Sequence, residues 1–167
     1  MAVEKYFPRQ AARARGFTLI ELVITLAIVG LLATAAMPLA ELVAKREKEA
    51  QLRSALRDIR TALDAYRFSA QTGHIRLELG ASGYPPDLKA LYAGVEDIAS
   101  ERKVMIYFLR RVPRDPLFPD ASVPAEETWG LRSYGSPPDD PQPGDDVFDV
   151  YSLAGGKGLN GVGYHDW

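Results

Sequence analysis

From Phe17 to Ala40 the chain runs 24 residues with one charged side chain, Glu21. As an α-helix that stretch is long enough to cross a hydrocarbon layer of about 30 Å. Few other folding fates are open to it, because a short domain has no core deep enough to cover such a helix on every side. The 16 residues before it carry Lys5, Arg9, Arg13 and Arg15 against Glu4, a net of +3. Basic residues ahead of an apolar span hold that end in the cytoplasm, so the chain beyond the span emerges on the other side. The formal charge of −2 becomes −5 once those residues are set aside. Glu21 is the anomaly, since a carboxylate at membrane depth is costly unless it is paired.

Three readings of the N-terminus compete. One is a plain transmembrane anchor that tolerates Glu21. A second is a secretory signal cut at the small residues Ala33-Thr34-Ala35, although the apolar run continues past that point. The third rests on Arg13-Ala14-Arg15-Gly16 followed by Phe17-Thr18-Leu19-Ile20-Glu21. This stretch resembles the prepilin signal of the type IV pilin and type II secretion pseudopilin superfamily. The resemblance implies cleavage after Gly16 by a prepilin peptidase and methylation of the new N-terminus at Phe17. Cleavage would create an ammonium four residues before Glu21, on the same helix face if both are helical. In a filament the carboxylate could meet a neighbour's ammonium and set the register, because a buried pair penalises mispairing more than it stabilises.

Gly30 and Pro38 interrupt the apolar run, and a bend or local unwinding is expected between them, since proline removes one helical hydrogen bond. Beyond Pro38 the apolar positions Leu52, Leu56, Ile59, Leu63, Tyr66 and Ala70 step by threes and fours, which predicts one stripe along a helix. Thr72-Gly73 supplies the stop. A helix from Phe17 to Gln71 would hold about 55 residues and measure about 80 Å. Tyr84-Pro85-Pro86-Asp87 reads as a turn opening a short helix, and Lys103 to Arg111 as a second short helix. "RRVPRDPLFPD" reads as a pinned loop. Trp129 to Tyr134 and Val147 to Leu153 read as strands of a hairpin with a long connection, "GSPPDDPQPGDD".

The expected architecture is α+β: a type IV pilin-like fold with a long helix packed on a small antiparallel sheet and short connecting helices. Its segments are a leader at 1–16, a transmembrane or filament-core helix at 17–40, an amphipathic continuation at 41–72 and a globular head at 73–167. Tyr84-Pro85, the Val112–Pro116 stretch "VPRDP", the strand "FDVYSL" at 148–153 and Trp167 resemble, piece by piece, the major pseudopilins of type II secretion.

No cysteine is present, which excludes disulfides, thiolate metal sites and thiol nucleophiles. The narrower resemblance implies a calcium ion in the final loop, a setting that suits carboxylate and carbonyl oxygens. Leu153, Asn160, Asp166 and Asp149 are the candidate ligands, but this loop is short and poor in acids compared with the family pattern. Asp139, Asp140, Asp145, Asp146 and Asp149 cluster in the hairpin instead and otherwise read as a solvated turn. His74 and His165 stand far apart without a triad context, and "GGKG" at 155–158 lacks the spacing of a phosphate loop. No enzymatic activity is expected. Nucleic acid is not an expected partner, because charge is polarised rather than basic: residues 41–72 sum to +2 and residues 112–167 to −7.

The resemblance implies a structural subunit of a type II secretion pseudopilus. It would be held in the inner membrane as a single-pass protein with a periplasmic head. Its partners would be copies of itself, other pseudopilins, the prepilin peptidase and the inner-membrane assembly platform. A minor pilin or type IV pilus subunit is the nearest alternative, and a membrane-tethered binding module a third.

Overall fold

Thr18 sets where the long helix begins. In the computed structural model, which describes residues 16–167, its Oγ1 accepts a hydrogen bond from the Glu21 amide at 3.3 Å, and its carbonyl takes the Leu22 amide at 3.1 Å. A threonine in this position acts as an N-cap, so α1 spans Leu19–Gln71 rather than starting at Phe17. Residues 1–15, with Arg13, Ala14 and Arg15 of the leader motif, lie outside the described residues. The far end is closed by Gly73 at φ +81°, a left-handed conformation that glycine adopts without a Cβ penalty. The Gly73 amide donates to Ala70 O at 3.2 Å and the His74 amide to Ser69 O at 2.9 Å, the bond pair of a Schellman cap. Between these ends α1 passes through Gly30 and Pro38 without an unwound turn. Of the bend or unwinding expected there, the unwinding is not formed, because a proline deletes one bond and the residues around it (Ala33, Ala35, Ala36, Met37, Leu39, Ala40) are mostly strong helix formers.

The chain divides into two compact units, the first ending at Leu42 and the second spanning Val43–Trp167. In the first, Leu19, Ile20, Leu22, Val23, Ile24, Leu26 and the large apolar residues onward to Leu39 are exposed. The most apolar 18-residue window of α1 has a mean hydropathy of 2.4, and none of it is buried.

The second unit is built on the remainder of α1. All six residues of the expected stripe, Leu52 through Ala70, are buried. Ala55 and Ala62 widen the stripe, and together they join Leu88, Leu91, Val112, Trp129, Val147 and Val150 in one core. Each large aliphatic side chain withdrawn from water here contributes about 2 kcal/mol, so the helix is fastened to the head over five turns. After the turn at Tyr84–Asp87 comes α2, Ala90–Ala93, with Asp87 Oδ1 accepting from the Ala90 amide at 2.8 Å.

The segment from Lys103 to Arg111 is not a helix. It contributes β2, Met105–Ile106, which pairs antiparallel with β1, Val95–Glu96. Lys103 sits at φ +50°, outside the helical region, and the amides of Phe108 and Leu109 both donate to Leu91 O at 2.9 Å, drawing the segment onto α2. The expected hairpin is present as β3, Trp129–Arg132, and β4, Asp149–Ser152, in register Trp129↔Ser152 through Arg132↔Asp149. The β structure is thus two two-stranded ribbons rather than one sheet. With that difference the architecture is α+β and of type IV pilin-like form: a long N-terminal apolar helix followed by small antiparallel ribbons.

Candidate functional site

Two regions answer the functional expectations: the start of α1 and the final loop. At the start, Gly16 and Phe17 precede the helix, and both are exposed. Glu21 occupies the third helical position, in the first turn. Thr18-Leu19-Ile20-Glu21 is the sequence of a capping box, of which the Thr18-to-Glu21 half is formed. A carboxylate there also faces the positive end of the helix dipole. The charge of Glu21 therefore suits the helix start as well as any assembly contact, while the cap itself is Thr18, which the T-x-x-E spacing carries. Phe17 lies two residues ahead of the helix, so its stacking over Glu21 on one helical face, expected from the i, i+4 spacing, is not present in the uncut chain.

Farther along, the two hydroxyls of the span are satisfied within the helix: Thr25 donates to Leu22 O at 2.8 Å and Thr34 to Leu31 O at 2.7 Å. A Cβ placed on Gly30 would meet nothing within 4 Å. No intramolecular contact requires glycine at that position. Small residues on apolar helices matter where another helix approaches closely.

The final loop is held by the helix. Glu49, buried among apolar neighbours, accepts the Leu159 amide at 2.9 Å and the Tyr164 hydroxyl at 3.1 Å through the same Oε1. Burial, reinforced by that carboxylate, pushes the Tyr164 phenol above its ordinary value. One turn earlier, Lys45 Nζ donates to Lys157 O at 3.0 Å. One turn later, the Arg53 guanidinium lies 4.3 Å from the centre of the Trp167 ring. Arg60 completes the series: Nε donates to Asp149 Oδ1 at 2.7 Å, and Nη2 to Trp167 O at 2.8 Å and Val150 O at 3.2 Å. Lys45, Glu49 and Arg53 are spaced four apart and share one helical face. Gly158 permits the close approach, since a Cβ there would fall 2.3 Å from the Trp167 ring.

The proline-rich loop is pinned as expected, and the pin is Asp115, the acid of the "VPRDP" stretch. Asp115 is buried, accepts the Ser152 hydroxyl at 2.5 Å and the Leu117 amide at 2.8 Å, and donates its own amide to Thr128 Oγ1 at 3.1 Å. Trp129 Nε1 closes the loop by donating to Pro113 O at 2.8 Å.

Of the four candidate calcium ligands, two already have partners within the chain. Asp149 is committed to Arg60 and to the Val150 amide. Asn160 Oδ1 accepts the Val162 amide at 3.1 Å. Asn160 and Asp166 share a cleft with Arg53, Arg57 and Arg60, whose charges oppose a dication. Leu153 is exposed. Among the described residues no three His, Cys, Asp or Glu side chains are grouped to hold a metal. Within the chain the loop is fastened by Lys45, Glu49, Arg53 and Arg60. Of the hairpin acids, Asp139, Asp140 and Asp145 are exposed, and Asp146 accepts the Tyr134 amide at 2.8 Å. His74 pairs with Asp97 at 2.9 Å and His165 lies 3.4 Å from Asp166, so the two histidines sit in separate places.

Residues 11–37 match the model of the prokaryotic N-terminal methylation motif. No curated protein and no solved structure gives a significant match to the chain. The motif, on an apolar helix long enough for single-pass anchoring and ahead of an α+β head, indicates a type IV pilin-like protein processed by a prepilin peptidase.

Proposed function

We propose that the chain is a pseudopilin: a structural, non-enzymatic subunit of the periplasmic filament of a type II secretion system. In this reading the peptidase cuts between Gly16 and Phe17, and Phe17 is methylated. The subunit then waits in the inner membrane with its head in the periplasm and enters a helical filament through an inner-membrane assembly platform. The observation that carries the reading is the fully exposed apolar face of α1 before Leu42, with one acid at its start and a glycine that nothing inside the chain requires. Hydrocarbon and neighbouring helices are equally apolar, so transfer between them is driven by packing and polar pairing. Glu21 would supply the pairing, by meeting the ammonium that cleavage exposes at Phe17. Support for the secretion filament over a pilus comes from the resemblance of the "VPRDP" loop and the "FDVYSL" strand, both built into the head as described.

The test is incorporation of Glu21→Ala and Glu21→Gln into filaments in cells making the parent chain. Exclusion of both, with normal cleavage and membrane levels, is the expected result. Wild-type incorporation of Glu21→Ala would remove the pairing role. Replacement of residues 17–40 by an unrelated apolar helix separates this reading from a tethered binding module, since only the module keeps working.

A further inference from the structure

We propose that a groove on the head receives the acidic hairpin connection of a second copy of this chain. The proposal rests on the filament reading and adds to it a contact between heads. The groove, of about 860 Å³, runs between the small residues Ala62 and Ala65 of α1 and the segment from Phe108 to Arg114. Its mouth carries Arg110 and Arg111, both exposed. Asp58 is the one acid in its lining, and Arg114 is occupied by the carbonyls of Val123 and Asp120, so the free charge at the mouth is positive.

The occupant is argued from charge, rigidity and symmetry. The connection between β3 and β4 displays Asp139, Asp140 and Asp145 to solvent. It is held in shape by the Ser133 amide donating to Gln142 O at 3.0 Å and the Gln142 amide donating to Ser136 Oγ at 2.8 Å. Pro137, Pro138, Pro141 and Pro143 restrict its backbone further, so little freedom remains to be lost on docking. Among the described residues no ion pair involves Arg110, Arg111, Asp139 or Asp145. Both halves of the contact are therefore free within one chain. They are different patches on the same molecule, and a contact between unlike patches passes head to tail from copy to copy, giving an open filament wherever its rotation does not close a ring.

The absence of cysteine from the chain makes the test direct. Arg111→Cys and Asp139→Cys are introduced singly and together in the full chain, and membranes bearing filaments are treated with a short bismaleimide. The expected result is a ladder of multimers from the double variant, a single dimer adduct when the two single variants are co-expressed, and none from either alone. Filaments visible by electron microscopy without those adducts would overturn the docking and leave the filament reading intact. An adduct with the mass of a different protein would also overturn it. If the unsubstituted chain forms no filament, both readings fall together. Arg110→Asp with Arg111→Asp should lower filament yield about fivefold, in keeping with two exposed pairs. Adding Asp139→Arg and Asp145→Arg should restore it, and failure of that rescue would overturn the charge pairing.

Discussion

Glu49→Ala should loosen the final loop and destabilise the head by about 3 kcal/mol. The magnitude comes from the two bonds Glu49 makes: one buried carboxylate oxygen accepts the Leu159 amide and the Tyr164 hydroxyl. Hydrogen bonds to a charged acceptor contribute about 1.5–3 kcal/mol each, and stranding two buried donors costs a similar amount. The lower end applies here, because the loop can rearrange to hydrate its amide. For a unit of the size of Val43–Trp167, that corresponds to a fall of about 10 °C in melting temperature. Glu49→Gln keeps an oxygen acceptor in place and should lose about a third as much. The assay is thermal unfolding of the full chain in detergent, with hydrogen exchange at the Leu159 amide as the local readout. Calcium and chelator should leave every curve unchanged, since the loop is fastened by side chains of α1. An Ala variant melting within about 2 °C of the parent, well inside the shift that lost contacts of this kind produce, would refute the clamp. A parent whose melting temperature climbs with calcium would refute the claim that helix side chains fasten the loop without an ion.

Three further outcomes are expected. Gly30→Leu should leave the melting temperature of the head unchanged, as among the described residues nothing beyond its own helical turn lies within 4 Å of the added Cβ, yet lower filament incorporation at least about tenfold by blocking close helix approach. Gly130→Ala should cost about 2 kcal/mol in the same melt, because its Cβ would fall 2.1 Å from the Tyr151 ring across the β3–β4 ribbon. On acidification, the Tyr92 hydroxyl bond to Glu126, at 2.6 Å, holds that carboxyl below its ordinary value, as Ser122 does for Asp120. A folded value below the unfolded one means stability that is complete above the ordinary carboxylate range and lost as pH falls through the folded values. Melting temperatures should therefore decline on that limb, less steeply for Glu126→Gln, and an unchanged slope would count against the bond.

The features readable from residue order divide along a physical line. The stripe from Leu52 to Ala70 was legible because a helix buries one face at a fixed period, and all six positions are buried. The stop at Gly73 was legible because only glycine takes that φ cheaply. Trp129–Arg132 and Asp149–Ser152 carried enough branched and aromatic residues to show as strands. The ribbon Val95–Glu96 with Met105–Ile106 was not legible, since two residues per strand leave no alternation to detect. The same segment read as a helix over Lys103–Arg111 because its apolar spacing is compatible with one, and the pairing with Val95–Glu96 and the Leu91 carbonyl override it. Glu49, and the contacts that Asp115 makes from within "VPRDP", escaped notice for another reason. Their partners lie 110 and 37 residues away, at Leu159 and Ser152, and an acid in a helix or loop ordinarily faces water. The cap at Thr18 was present in the T-x-x-E spacing, but the setting of Glu21 in an apolar run drew attention to its charge alone.

For Glu21 to act as an assembly device, a cation must appear beside it when the leader is removed. Mass spectrometry of the first peptide of the mature protein, isolated from membranes, tests this most directly. It should begin at Phe17 and carry one methyl group on its amine. A mature chain still joined at Gly16–Phe17, or one beginning beyond Ala35, would contradict it.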